Sequence, residues 1–186
     1  MRQPRCIAQR PQRLSHTGSS SLYQIVWLAC ALSAAAGMPA LGTLTAIAVI
    51  LWHLADVVRP FAAAVPIVLT GLLGGIWDSL LVNLNLIHYP SGMVFTWMAP
   101  YWIIALWMAF ATTFNLAFHW LHGRLLPATL FGAVGGPLAW WAGARLGALE
   151  LVNPIPALTA LSLGWMVMMP LLMQLAARFD GVSEPS

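Results

Sequence analysis

Apolar runs of about 20 residues, each ended by a short polar break, fill the chain from about residue 20 to residue 177. A helix needs about 20 residues to cross roughly 30 Å of hydrocarbon. Six runs fit: 20–36, 40–57, 61–82, 97–118, 125–149 and 157–177. Gly37, Met38 and Pro39 make the first reversal, and the second precedes Pro60. Polar stretches at 83–92 (NLNLIHYPSG) and 150–156 (ELVNPIP) separate later runs. Only 7% of residues are charged and 60% are hydrophobic, whereas soluble domains are about 25% charged. A soluble fold of this size cannot hide so much apolar surface, but lipid accepts it. The ten Trp suit interfacial belts. The chain therefore reads as an all-α polytopic membrane protein, a bundle of about six transmembrane helices. One domain covers 21–178, with a basic, disordered cytoplasmic tail over 1–20 and a short cytoplasmic tail over 179–186.

The arginines set an orientation. With the N-terminus in the cytoplasm, Arg2, Arg5, Arg10, Arg13, Arg59, Arg124 and Arg178 all fall on the cytoplasmic side, and Arg145 lies within the fifth run. Both termini are then cytoplasmic. The first run also has the basic flank and small residues of a signal peptide cleaved near 34–36. Its long polar leader and the close following run favour a retained helix. The formal charge of +3 is no nucleic-acid signature, because there is no Lys and half of the Arg lie in the first 13 residues. Cys6 and Cys30 lie in different environments, so no disulfide framework is expected, and Cys30 reads as a small packing residue.

Asp78, in GGIWDSLLVN (74–83), is the only acidic residue between Asp56 and Glu150. It shares a helix face with Gly71, Gly74 and Gly75. Gly71 and Gly75 form a pair that lets a second helix approach closely, so Asp78 is expected to face protein. Four residues from the outer end of its run, it lies about 6 Å deep. It reads either as a carboxylate that fixes helix pairing or as a proton- or substrate-handling group in an outward cavity. Arg145, at matched depth, is its natural partner. However, Gly132, Gly136, Ala139, Gly143 and Gly147 form a small-residue ridge on the fifth run, and at roughly 100° per residue Arg145 points almost opposite Gly143. Arg145 either reaches Asp78 through a kink at Pro137 or snorkels towards Glu150 or a lipid phosphate.

A second polar group gathers at the inner side: His53 and Asp56, then Asn115, His119 and His122. It reads as an interfacial helix end, with a metal or acid–base site as the alternative. No zinc signature, nucleophile elbow, P-loop, dinucleotide fingerprint or haem motif occurs, so no metal, cofactor or catalytic residue is assigned. Tyr89, Trp97, Tyr101 and Trp102 read as an outer aromatic belt or as ligand-lining residues near Asp78. Trp107, Phe110 and Phe114 read as packing.

Three stretches, GLLGGIWDS (71–79), APYWIIALWMAFATTF (99–114) and GAVGGPLAWWAGARLGA (132–148), resemble a family of small bacterial integral-membrane proteins catalogued as a domain of unknown function. The resemblance covers about residues 22–177. It implies a Proteobacterial inner-membrane protein whose genes tend to lie near lipid-modifying enzymes such as cyclopropane-fatty-acid synthases. It supplies no catalytic residues. The matched positions with unusual chemistry for a membrane are Asp78, Trp102, Trp107, Asn115, Gly135, Gly136, Pro137 and Arg145. Many members carry a His-Ser pair after the Asn, where this chain has Leu116 and Ala117, which weakens an acid–base reading there.

Three functions follow as expectations. The first is a non-enzymatic helper or binder in membrane-lipid or envelope processes, its partners being membrane lipids and, by the resemblance, membrane-associated lipid-modifying enzymes. The second is a transporter of a small or lipidic molecule, with Asp78 and Arg145 handling charge. The third is an intramembrane lipid-modifying enzyme, needing an acid–base pair such as Asp78 with Tyr89 or His53 with His119 at a lipid-accessible cleft.

Overall fold

A computed structural model describes residues 16–181, with side chains from Ser21 onward. The readings of residues 1–15 and 182–186 as tails lie outside the described residues. Six helices follow in order: α1 (His16–Ala35), α2 (Pro39–Asp56), α3 (Pro60–Asn83), α4 (Tyr101–Ala111), α5 (Leu125–Arg145) and α6 (Pro154–Arg178). Two short strands, β1 (Ile87–His88) and β2 (Glu150–Leu151), pair antiparallel between loops. Helix α1 starts at His16, so residues 16–20 are helical rather than tail.

Local chemistry explains the boundaries. Proline opens α2, α3 and α6 within their first turn, where its missing N–H costs no helix bond. Gly37 (φ 73°) and Gly147 (φ 84°) take the left-handed conformation just after α1 and α5, the usual way to end a helix.

Helices α2, α3, α5 and α6 are each long and apolar enough to cross a membrane. Their outward faces are as greasy as the core. On α5, Leu126, Leu130, Val134, Leu138 and Trp141 are all exposed at steps of three and four. Leu163, Val167 and Leu171 repeat this on α6. Such stripes suit lipid and not water, and the chain is an integral membrane protein.

The fourth apolar run departs from expectation. A continuous helix over 97–118 does not form. Helix α4 has 11 residues, about 16 Å at roughly 1.5 Å per residue, or half the hydrocarbon thickness. The hydroxyls of Thr112 and Thr113 donate to the carbonyls three residues back, at 2.7 and 2.6 Å, and their N–H groups bond to those same carbonyls. This winds the chain into tight turns, ending in a 3-10 turn at His119–Leu121. Helix α4 is buried on nearly every side, as an all-apolar helix must be. It pairs with α3 and touches α1 and α2, while α1–α2 and α5–α6 form the other helix pairs.

Residues 84–100 cap one end of the bundle. The Asn83 side chain donates to the Trp97 carbonyl at 2.7 Å, and the Ala99 N–H donates to Ser79 Oγ at 2.9 Å. Ser91 Oγ donates to the Ala34 carbonyl at 2.8 Å. With the β1–β2 pair, these bonds hold the loop against α3, α1 and β2.

Candidate functional site

Asp78 is completely buried. Glycine determines what reaches it. A Cβ on Gly74 would lie 2.1 Å from the Trp107 ring, and one on Gly71 would lie 2.5 Å from the Met108 side chain. Gly75 faces Ile104 at 3.2 Å. The glycine face of α3 therefore receives α4, not α5, and seats the Trp107 indole over the helix backbone. From there the indole N–H donates to Asp78 Oδ2 at 2.7 Å. Tyr89, carried by the capping loop, donates its hydroxyl to Oδ1 at 2.7 Å. Trp140 of α5 places its N–H 3.1 Å from Oδ1 and 3.2 Å from the Tyr89 oxygen.

An indole offers a donor and no acceptor, and an ionised carboxylate accepts only. This donor set therefore matches the carboxylate form, because a proton on Oδ2 would meet the Trp107 N–H head-on. Hydrogen bonds to an ion are about twice as strong as neutral ones. The surrounding wall is aromatic. Trp107 stacks on Trp165 at 4.6 Å, and Trp140 meets both rings at 5.7 Å.

No ion pair joins Asp78 to Arg145, which is exposed in the last turn of α5. Trp140 takes the expected place of the arginine. Five residues separate the two, a turn of about 140° at roughly 100° per residue, so they cannot face the same partner. Trp140 lies in register with Gly132, Gly136 and Gly143 on the buried side of α5. That register was the signal that could have found it. Gly132 and Gly136 admit α6, where an added Cβ would fall 2.3 Å from the Trp165 carbonyl oxygen and 2.2 Å from its ring. Gly143 meets Leu149 at an ordinary 3.4 Å, and Gly147 ends the helix rather than packing a face.

The polar group at the other end is looser. His53 is buried, His119 is exposed, and no hydrogen bond or ring contact joins them. The rings of His119 and His122 lie 5.0 Å apart. Burial, then the nearby His119, hold His122 below the usual histidine pKa. Asn115 is partly buried, and its Oδ1 has no partner. Among the described residues no three His, Cys, Asp or Glu side chains converge as metal ligands. Of the expected aromatic belt, Trp97 is exposed and stacks on Phe95, whereas Tyr89 and Trp102 are buried edge-to-face at 5.8 Å.

A groove of about 340 Å³ lies between α1 and α5, with α4 and α6 contributing its floor. Tyr23, Gln24 and Trp27 form one wall, and Phe131, Gly135 and Trp140 the other. Small-molecule sites span about 300–1,000 Å³ and are mostly apolar with a few polar groups. A separate cavity of about 20 Å³, which shares Trp27 and Trp140 with the groove, is lined by Ala31, Trp102 and Leu149. A third hollow, about 370 Å³, is an apolar trough beside Gly71, Ile76 and Trp97. Trp140 links the groove to the carboxylate, since its ring lines the first and its N–H bonds the second.

The family model described as "Protein of unknown function (DUF2878)" matches residues 17–171. No curated protein and no solved structure matches the chain significantly.

Proposed function

The chain belongs to this family of proteins of unknown function, and we propose that it is a non-enzymatic lipid-binding protein of the bacterial inner membrane with both termini in the cytoplasm. The groove between α1 and α5 carries this reading. It is apolar, of ligand size, and built between two helices whose remaining faces meet lipid. The orientation rests on the arginine asymmetry. Asp78 serves as the structural hub that fixes the wall of the groove. Asp78 and Tyr89 are within hydrogen-bond reach, but the carboxylate has no exposed surface and Trp140 stands between it and the groove. That geometry favours binding over acid–base catalysis. A transport reading needs Asp78 in the wall of a cavity open to one side, and Asp78 does not line the groove or the two hollows described with it. A lipid held in the groove would be available to membrane-associated lipid-modifying enzymes, as the family resemblance suggests.

Leucine at Gly135 would fill the groove, where an added Cβ meets nothing closer than Phe131 at 3.7 Å. The test compares lipid retained by detergent-purified wild type and Gly135→Leu, measured by mass spectrometry. Retained lipid is expected to fall by at least half in the variant. Equal lipid content in both proteins would contradict the proposal.

A further inference from the structure

We propose that the groove takes the ester-linked acyl chain of a glycerolipid, its ester carbonyl at Tyr23 and Gln24 and its tail running past Gly135 towards Trp140. This inference rests on the lipid-binding reading above and names the class of lipid.

Apart from the indoles, Tyr23 and Gln24 are the polar side chains that line the groove among the described residues, and they are neighbours on α1. Neither makes a side-chain hydrogen bond among the described residues. Gln24 is exposed just inside the start of the apolar part of α1, three residues after Ser21, and Tyr23 packs its ring against Phe110 at 5.3 Å. Gln24 lies four residues inside the first apolar run, roughly 6 Å deep at about 1.5 Å per residue, and a carboxamide that faces hydrocarbon there is costly without an acceptor. A ligand that supplies an acceptor removes that cost.

The lining also excludes alternatives. Among the described residues no charged side chain borders the groove, so a phosphate or a fatty-acid carboxylate held among them would be an unpaired ion. A plain hydrocarbon would leave Gln24 unsatisfied. An ester carbonyl is uncharged, accepts hydrogen bonds, and sits at the head of an apolar chain. The amide of Gln24 and the hydroxyl of Tyr23 both donate. The dimensions agree. The lining of α5 from Phe131 to Ala142 rises about 16 Å at roughly 1.5 Å per residue, close to the depth of one leaflet. Gly135 keeps that path free of a side chain, since an added Cβ there meets nothing closer than Phe131 at 3.7 Å.

Phospholipids and diacylglycerols share this ester, so the test uses both. Full-length protein stripped of lipid in detergent is titrated with dioleoyl phosphatidylethanolamine, its ether-linked analogue and dioleoylglycerol, with binding read by native mass spectrometry. The ether analogue lacks the carbonyls alone. Wild type is expected to bind the ester about tenfold more tightly than the ether, the worth of one well-made hydrogen bond. That gap is expected to vanish when Tyr23→Phe and Gln24→Leu are combined. Equal binding of dioleoylglycerol and the phospholipid assigns recognition to the ester. Tighter phospholipid binding adds a headgroup contact outside the groove, and both results support the proposal. Equal ester and ether binding in wild type, or a gap that survives in the double variant, overturns it. Gly135→Leu separates the two levels of the argument. If it leaves every lipid bound as in wild type, the groove reading itself fails. If it weakens all of them while ester and ether stay equal, only the carbonyl assignment fails.

Discussion

The indole N–H of Trp107 donates to Asp78 Oδ2 across 2.7 Å, tying α4 to α3 through a buried carboxylate that no cation accompanies among the described residues. The glycine face that makes this contact possible and the groove wall that depends on it belong to one structural unit. The consequences can be measured on purified protein by thermal melting in detergent.

The three donors to Asp78 are not equivalent. Trp107 and Tyr89 each make a 2.7 Å bond, whereas Trp140 shares its N–H between two acceptors at 3.1 and 3.2 Å. Replacing each donor by Phe keeps most of the ring and removes the bond. Trp107→Phe and Tyr89→Phe should each cost about 1.5–3 kcal/mol, the range for bonds to a charged group. Trp140→Phe should cost less than either. An equal cost for all three would show that the distances do not order the bonds.

Removing the acceptor should cost more than removing any one donor. Asp78→Leu strands the Trp107 indole N–H and the Tyr89 hydroxyl, each at about 1–3 kcal/mol for a buried unpaired group, while the Trp140 N–H keeps the Tyr89 oxygen. Adding Tyr89→Phe, Trp107→Phe and Trp140→Phe to Asp78→Leu should then restore stability, because apolar groups replace both sides of each bond. A quadruple variant less stable than Asp78→Leu alone would contradict the hub role.

Two glycines should respond oppositely to alanine. At Gly74 the new Cβ would lie 2.1 Å from the Trp107 ring, and overpacking of this kind costs about 1–3 kcal/mol. At Gly135 the nearest atom is 3.7 Å away, so the better helix propensity of alanine should leave stability unchanged or raise it by up to about 1 kcal/mol. The melting temperatures of the two variants should bracket that of wild type.

Arg145→Ala should shift stability by less than about 0.5 kcal/mol, as for an exposed side chain without structural partners. Destabilisation comparable to Asp78→Leu would revive a charge pair between the two.

Much of the architecture was legible in the apolar runs. Five of the six helices fall close to them, because proline openings and glycine endings leave plain marks in a sequence. The run at 97–118 was misleading. Its hydropathy is unbroken, and the helix stops at two threonine hydroxyls that bond back to the chain, a local event that hydropathy does not register. The inward aim of Asp78 was readable from Gly71 and Gly75, since a glycine face implies a close neighbour. Which neighbour was not readable, and so Trp107 passed as packing. Trp140 was hidden by its own ridge, where the small residues drew attention and the indole in register with them did not. The groove had no sequence signal, because it arises where α1 and α5 stay apart.

The most direct test of lipid binding in that groove is crosslinking with a phospholipid that carries a photoreactive group on its acyl chain. Full-length protein would be reconstituted with it, irradiated and mapped by peptide mass spectrometry. Adducts are expected to concentrate on the groove walls around Tyr23–Trp27 and Phe131–Ala142, and to be depleted there by Gly135→Leu. Adducts spread evenly over the exposed faces of α2, α3 and α6, with no change in the variant, would contradict lipid binding in the groove.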